Sequence, residues 1–377
     1  MHELIVMITI NIILSEVLYE SKDRRFKVMH AYKRQNLLRQ WSGGLLAGVM
    51  FVSGCAAPSN PASDNNRDAL ELSPSAESRP VSVHDAEERE SFLTFEDDTG
   101  REIRLPEQPQ RIIVLSPQLL DLLYSVDGHA IAHATSPGGT VPDEAERIEE
   151  VGGMTTVNTE KLLALKPDLV IGSVVFHREL TAILDASNVP FALFNLSTYA
   201  DLQQKAVLFG QLSGTENKAR EALADLDQEI REWTARVPAS DAPTFIMLNV
   251  TPNSLSVQRQ DTVGIEVATM LHMNNLAETW EAASDSPSTA PFSLEKIVEL
   301  NPDYVFILIH GAREDGEKKI QSDLASQPAW TSLRAVKENR MVILPSDRFL
   351  SNPGFRLSES VEYLAKLVYP DTYENGH

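Results

Sequence analysis

The apolar run YVFILI, Tyr304–Ile309, leads without a break into His310 and Gly311. A histidine that ends a buried strand, with a glycine after it to free the backbone, is well placed to ligate a metal through its imidazole. The commoner fate of a lone histidine is a hydrogen-bonded core residue, so its surroundings decide between the two. Two acids share another regularity. Glu179 lies eleven residues after Asp168, and Glu314 lies eleven residues after Asp303. Catalytic signatures are missing. The chain has no GxSxG nucleophile, no HExxH, no P-loop and no GxGxxG after a strand, which argues against an enzyme.

The matched spacing has a source. NTEKLLALKPDLVIGS from Asn158 and SLEKIVELNPDYVFIL from Ser293 align without gaps, with six identical positions. Each copy reads as an amphipathic helix, a Pro-Asp turn and a short apolar strand, because proline cannot continue a helix. Helix, turn and buried strand make half of a βαβ unit. The repeat therefore predicts an α/β protein with two similar lobes, and it puts Glu179 and Glu314 at corresponding positions on them.

Composition narrows the partners. The 377 residues give room for two domains and large cores. A net charge of −21 argues against nucleic acid and against an acidic membrane surface as partner of the folded body.

The single cysteine, Cys55, closes a segment with basic residues Lys33, Arg34 and Arg39 and an apolar stretch from Leu45 to Val52. That stretch is too short for a stable span and reads as a secretory signal. VSGC, Val52–Cys55, resembles a bacterial lipobox, in which the thiol is lipidated and the cysteine becomes the mature N-terminus. Residues 1–54 form the signal region, with Met29 a candidate for the true start. Residues 55–91, rich in Ser, Pro, Asn, Asp and Glu, read as a disordered tether.

Order is expected from Phe92. FEDDTGREIRLP predicts a hairpin turning at Asp98-Thr99-Gly100. Strands and helices then alternate through an N-terminal α/β lobe, 92–212. SGTENKAREALADLDQEIREWTARV predicts a linking helix over 213–237, with Ser213 and Glu216 as its capping box. Leu223, Leu226, Ile230, Trp233 and Val237 form its apolar stripe. A C-terminal α/β lobe, 238–377, completes the body.

Together the lipobox, DDTGREIRLPEQPQRIIVLSP, VGGMTTVNTEKLLALKPDLVIGS and NPGFRLSESVEYLAKLVYP resemble the extracytoplasmic binding proteins of ABC importers for ferric siderophores, haem or cobalamin. The resemblance spans roughly residues 92–370. It implies two Rossmann-like lobes bridged by one long α-helix. A ligand cleft would lie between them, lined by loops at the carboxyl ends of the parallel strands. It further implies a monomer, lipid-anchored to the outer face of the cytoplasmic membrane, that hands cargo to an ABC permease dimer with its ATPase. Glu179 and Glu314 would dock onto the two permease subunits, though acids at helix starts also answer the helix dipole.

For the cargo, the resemblance points first to haem. The haem-binding branch has an axial histidine seven residues after the repeat aspartate, and His310 is seven after Asp303. That branch also takes an axial methionine from the loop before the first repeat helix, where this chain has Met154, one position early. Met and His on opposite faces make a recognised haem arrangement. A ferric siderophore is the alternative, with His310 filling a vacant iron position, and cobalamin is third. Arg178, Arg259 and Arg348 are candidates to hold an anionic ligand. A zinc receptor would need clustered histidines, and the nine here are scattered. A sensory lipoprotein remains open as a rival. No catalytic cofactor is expected.

Overall fold

The computed structural model describes residues 91–136, 141–239, 242–284 and 286–373. Cys55, the signal region and all of the tether but its last residue lie outside the described residues. The hairpin forms as expected, β1 (Leu93–Glu96) pairing antiparallel with β2 (Glu102–Leu105). Its turn is built by Asp97, whose carboxylate accepts from the N–H groups of Thr99, Arg101 and Leu193.

The first lobe carries β3 (Ile112–Val114), β4 (Ala132–Thr135), β5 (Glu149–Gly153), β6 (Thr156–Val157), β7 (Leu169–Ser173) and β8 (Phe191–Phe194). They form one sheet in the order β6-β5-β4-β3-β7-β8, parallel except for β6. Helices α1 (Pro117–Ser125), α2 (Thr159–Ala164), α3 (Val174–His177) and α4 (Thr181–Ala186) connect them. Two longer helices follow, α5 (Tyr199–Ser213) and α6 (Glu216–Thr234).

The second lobe carries β9 (Thr244–Val250), β10 (Leu255–Gln258), α7 (Val263–Met270), β11 (Asn274–Asn275), β12 (Thr289–Pro291), α8 (Leu294–Leu300), β13 (Tyr304–Ile309), α9 (Arg313–Ile320), β14 (Met341–Ile343) and α10 (Leu357–Val368). Its sheet runs β12-β10-β9-β13-β14, with β11 beside the start of β9. Strands β9, β13 and β14 are parallel, and β10 turns back against β9. Strand β13 is buried at all six positions, which explains why its sequence is an unbroken apolar run.

The repeat does the same structural work twice. Asp168 Oδ2 and Oδ1 accept from the N–H groups of Gln110 and Arg111 at 2.7 and 2.8 Å, just ahead of β3. Asp303 Oδ2 accepts from the N–H and hydroxyl of Thr244 at 2.9 and 2.7 Å, at the start of β9. Each aspartate thus fixes where the neighbouring central strand begins. Burial opposes ionisation of Asp303, but Thr244 and the charges of Arg334 and Arg340 outweigh it and hold the carboxyl below its usual range.

The link differs from the sequence expectation. The expected 213–237 helix is observed as α6, Glu216–Thr234, and the Ser213–Glu216 capping box does not form. Ser213 instead ends α5, where Gly214 takes a left-handed turn at φ +72, and Glu216 pairs with Arg220. The capping box lies one helix earlier, between Thr198 and Asp201 at the start of α5. At 19 residues, α6 is about 28 Å long. Leu223, Leu226 and Ile230 bury its expected stripe, each contributing about 1.5–3 kcal/mol.

Helix α6 packs on α5 and α10, and one apolar core runs from Leu119 and Phe209 through this stripe to Phe245 and Leu364. Polar ties reinforce the junction. Asn352 Nδ2 donates to the Thr198 carbonyl at 2.8 Å, and Tyr199 N–H donates to Glu266 Oε2 at 2.6 Å. Tyr199 OH also reaches Asp227 at 2.5 Å, and Ser358 reaches Glu229 at 2.6 Å. Thr198 follows β8 and Asn352 follows β14, so the lobes adjoin at the carboxyl edges of both sheets.

Candidate functional site

Carboxyl ends of parallel strands are where open α/β sheets bind ligands. In the first lobe, β5 runs into Met154 and β7 into α3. Met154 is half-buried, and its N–H donates to the Thr135 carbonyl at 2.7 Å, at the end of β4. Its carbonyl accepts from Nε2 of His177 at 2.8 Å, while Nδ1 of His177 accepts from the N–H of Ser173 at 2.8 Å. One buried imidazole therefore joins the ends of β5 and β7. Burial holds its pKa below the ordinary value, against the opposing effects of Met154, Glu179 and Ser173. Neutral imidazole satisfies both contacts, one nitrogen donating and the other accepting. Sequence reasoning missed His177, because a histidine on a short helix carries no periodic signal. Beside it, Val175 and Phe176 are 73% and 45% exposed, an apolar step at the same strand end.

In the second lobe, His310 stands where the sequence placed it, directly after β13. It is half-buried, and burial lowers its pKa. Its Nε2 lies 3.2 Å from Asn249 Oδ1 on β9, since residues 308 and 249 are register partners and 310 shares their face. Nδ1 has no hydrogen bond among the described residues. No cluster of three or more His, Cys, Asp or Glu side chains suited to a metal ion occurs among the described residues. A metal here would therefore bring most of its ligands with it.

The candidate cations separate. Arg348 follows β14 and is largely buried; its guanidinium pairs with Glu359 at 3.3 Å, and its Nε has no hydrogen-bond partner. Arg313, which sequence reasoning passed over, lies three residues after His310 and pairs with Glu317 at 2.8 Å. Burial raises the pKa of Tyr363, and the charges of Arg348 and Arg313 pull it back, so both arginines stand near one phenol. Arg178 is exposed at the start of a single 3₁₀ turn, Arg178–Leu180. Arg259 is not brought to this edge. Strand β10 runs antiparallel to β9, so its end lies toward the opposite edge, and Arg259 donates to the Pro287 and Glu278 carbonyls at 2.6 and 3.2 Å. The reversal through the four residues between β9 and β10 would have to be read from sequence to foresee that.

The two matched acids are both exposed. Glu179 lies in the turn after α3, and Glu314 lies in the first turn of α9. Each belongs to the first helical segments after the strand of its repeat copy, so the two positions correspond between lobes.

Comparison with known proteins agrees with this architecture. Residues 112–348 match the sequence profile of the family described as periplasmic binding protein. The uncharacterized ABC transporter substrate-binding lipoprotein YvrC of Bacillus subtilis is 25% identical over 342 residues, covering 89% of this chain and 98% of that protein. The Fe(3+) dicitrate-binding periplasmic protein FecB of Escherichia coli is 24% identical, over 71% of this chain and 87% of its own length. Among solved structures, Staphylococcus aureus IsdE, complexed with heme, aligns with a TM-score of 0.59 at 21% identity over 69% of this chain and 98% of its own. A two-lobed α/β body, with its candidate ligands at the carboxyl edges of both sheets, thus coincides with a profile that covers most of it: the chain belongs to the periplasmic binding protein family, as a substrate-binding protein of the ABC-importer type.

Proposed function

We propose that this chain captures an iron complex between its two lobes and surrenders it to an ABC permease, performing no covalent chemistry itself. The observation that carries the reading is the position of His310. It ends a buried interior strand of the second lobe, with Nδ1 unbonded among the described residues, Arg313 three residues further on, and Arg348 sharing the surroundings of Tyr363 with Arg313, in a chain that is otherwise strongly acidic. A strand-end imidazole with arginines on the segments that follow β13 and β14 suits a ferric complex whose own ligands are anionic. Relatives bind such cargo: FecB is named for ferric dicitrate, and SirA of S. aureus is described in complex with staphyloferrin B. In this reading Glu179 and Glu314 meet the two permease subunits, and Cys55 carries the lipid that keeps the receptor at the outer face of the cytoplasmic membrane.

A ferric siderophore-type chelate is the cargo the geometry supports best, because His310 offers a single imidazole nitrogen and its far nitrogen is engaged by Asn249. Haem is the second reading, favoured by Met154 on the opposite lobe and by the exposed apolar pair Val175 and Phe176. Absorption titrations of the full-length chain in detergent, with haemin and with ferric citrate, catecholate and hydroxamate complexes, separate the two. Chelate binding that weakens in His310→Ala and persists in Met154→Ala supports the first reading. A sharp low-spin haem band lost in both variants supports the second. If no iron complex binds better than to an unrelated acidic protein, the iron reading is wrong.

A further inference from the structure

A polar chain lies behind His310 that the fold does not require. Gln258 and Asn249 are 3% and 9% exposed, on adjacent strands β10 and β9, where aliphatic side chains would pack without any need for partners. Their bonds run in one direction. The Thr262 hydroxyl caps α7 by accepting from Ile265 N–H at 3.5 Å, and its own proton goes to Gln258 Oε1 at 2.7 Å. Gln258 Nε2 then donates to Asn249 Oδ1 at 2.9 Å. With Oδ1 fixed as an acceptor, the His310 nitrogen 3.2 Å away, Nε2, must be the donor.

We infer that Asn249, oriented by Gln258 and Thr262, holds His310 as the Nε2–H tautomer and so presents Nδ1 as the nitrogen offered to the cargo's iron. This rests on the reading of His310 as an iron-facing residue. It also makes Asn249 a positioning residue that narrows the cargo. Nδ1 is flanked by the side chain's own Cβ, which collides with a flat macrocycle lying against the metal. A compact ferric chelate with an open coordination position has no such plane to clash. For haem to bind through Nε2, the ring must first leave Asn249. The partner behind a ligating imidazole commonly sets its tautomer and orientation, and losing that partner typically lowers metal affinity about 10- to 100-fold.

The test has two arms on the full-length chain in detergent. First, nitrogen-15 NMR of the cargo-free protein, with His310→Gln to assign the resonance, reads the tautomer without any ligand. Protonated Nε2 and bare Nδ1 are expected; a protonated Nδ1 overturns the inference whatever the cargo is. Second, a ferric bis-catecholate with open coordination positions, a ferric tris-catecholate with none, and haemin are titrated against three forms of the chain. These are the parent, Asn249→Leu, and the double variant Asn249→Leu/Gln258→Leu. The double variant replaces both buried amides together, so it leaves neither unsatisfied and guards against simple misfolding. The inference expects the open chelate to lose about tenfold or more in both variants. The closed chelate should be unchanged, and haemin unchanged or tighter. Equal loss for all three probes, or none for the open chelate, contradicts it. If the tautomer is as expected but His310→Ala leaves every iron complex bound as before, the underlying reading of His310 fails and the positioning role falls with it.

Discussion

His177 Nε2 donates to the Met154 carbonyl at 2.8 Å, so the loop after β5 is held to the strand end of β7 by one side chain that is 1% exposed. His177→Phe keeps an aromatic ring there but leaves the Ser173 N–H and the Met154 carbonyl without their partner. The expected loss is about 2–3 kcal/mol of stability, the scale of stranded buried polar groups. Hydrogen exchange at the Ser173 amide should quicken, and cargo should bind more weakly, because the loop carrying Met154 is no longer fixed. Unchanged exchange at Ser173 would show that the imidazole holds nothing.

Asp303 gives a pH dependence with a definite sign. Its folded pKa lies below the ordinary 3.8, because the Thr244 bonds and the Arg334 and Arg340 charges outweigh burial. A depressed carboxyl contributes stability that is fully present above its unfolded value and is lost as pH falls through the folded one. Asp97, held low by the Thr99 hydroxyl and three N–H groups against burial, acts in the same direction. Denaturant midpoints should therefore fall steeply below pH about 4, and Asp303→Asn should flatten that slope. A slope identical in parent and variant would contradict the assignment.

The lobes should move little when cargo binds. Helix α6 is continuous over 19 residues, and the Asn352–Thr198 and Tyr199–Glu266 bonds cross the junction beside it. Continuous helices and shared cores resist the φ/ψ changes that hinges absorb. Spin labels on Ser187 and Lys337, both exposed, should report a change of at most about 3 Å on saturation with the cargo, against the larger excursions of hinged receptors. A change several times larger would mean the junction opens.

Much of this architecture was legible because it is written as periodicity. The repeat predicted two lobes, and the apolar run YVFILI became β13 over the same residues. The expected linking helix over 213–237 is observed as α6 over Glu216–Thr234, starting later. Ser213 and Glu216 have the right types for a capping box, yet Gly214 between them supplies the positive φ that ends one helix before the next begins. Positions were legible only where place along a strand implies location, as for His310 at the end of β13. Arg259 looked equivalent to Arg348, but a strand's direction decides which edge its end faces, and β10 runs backward. Asn249, Gln258 and His177 were invisible, since their meaning comes from neighbours distant in sequence. The short β5–β6 pair was missed as well, because Glu149 and Glu150 break any apolar pattern there.

The most direct test is delivery. In cells lacking this chain but retaining its permease, uptake of radioactive iron from ferric chelates at low concentration should fail and return with the parent gene. His310→Ala should restore it poorly. Glu179→Arg/Glu314→Arg should bind cargo as the parent does and still fail to restore uptake, because both charged rims are reversed. Uptake of every iron complex that continues undiminished without the chain would contradict the account.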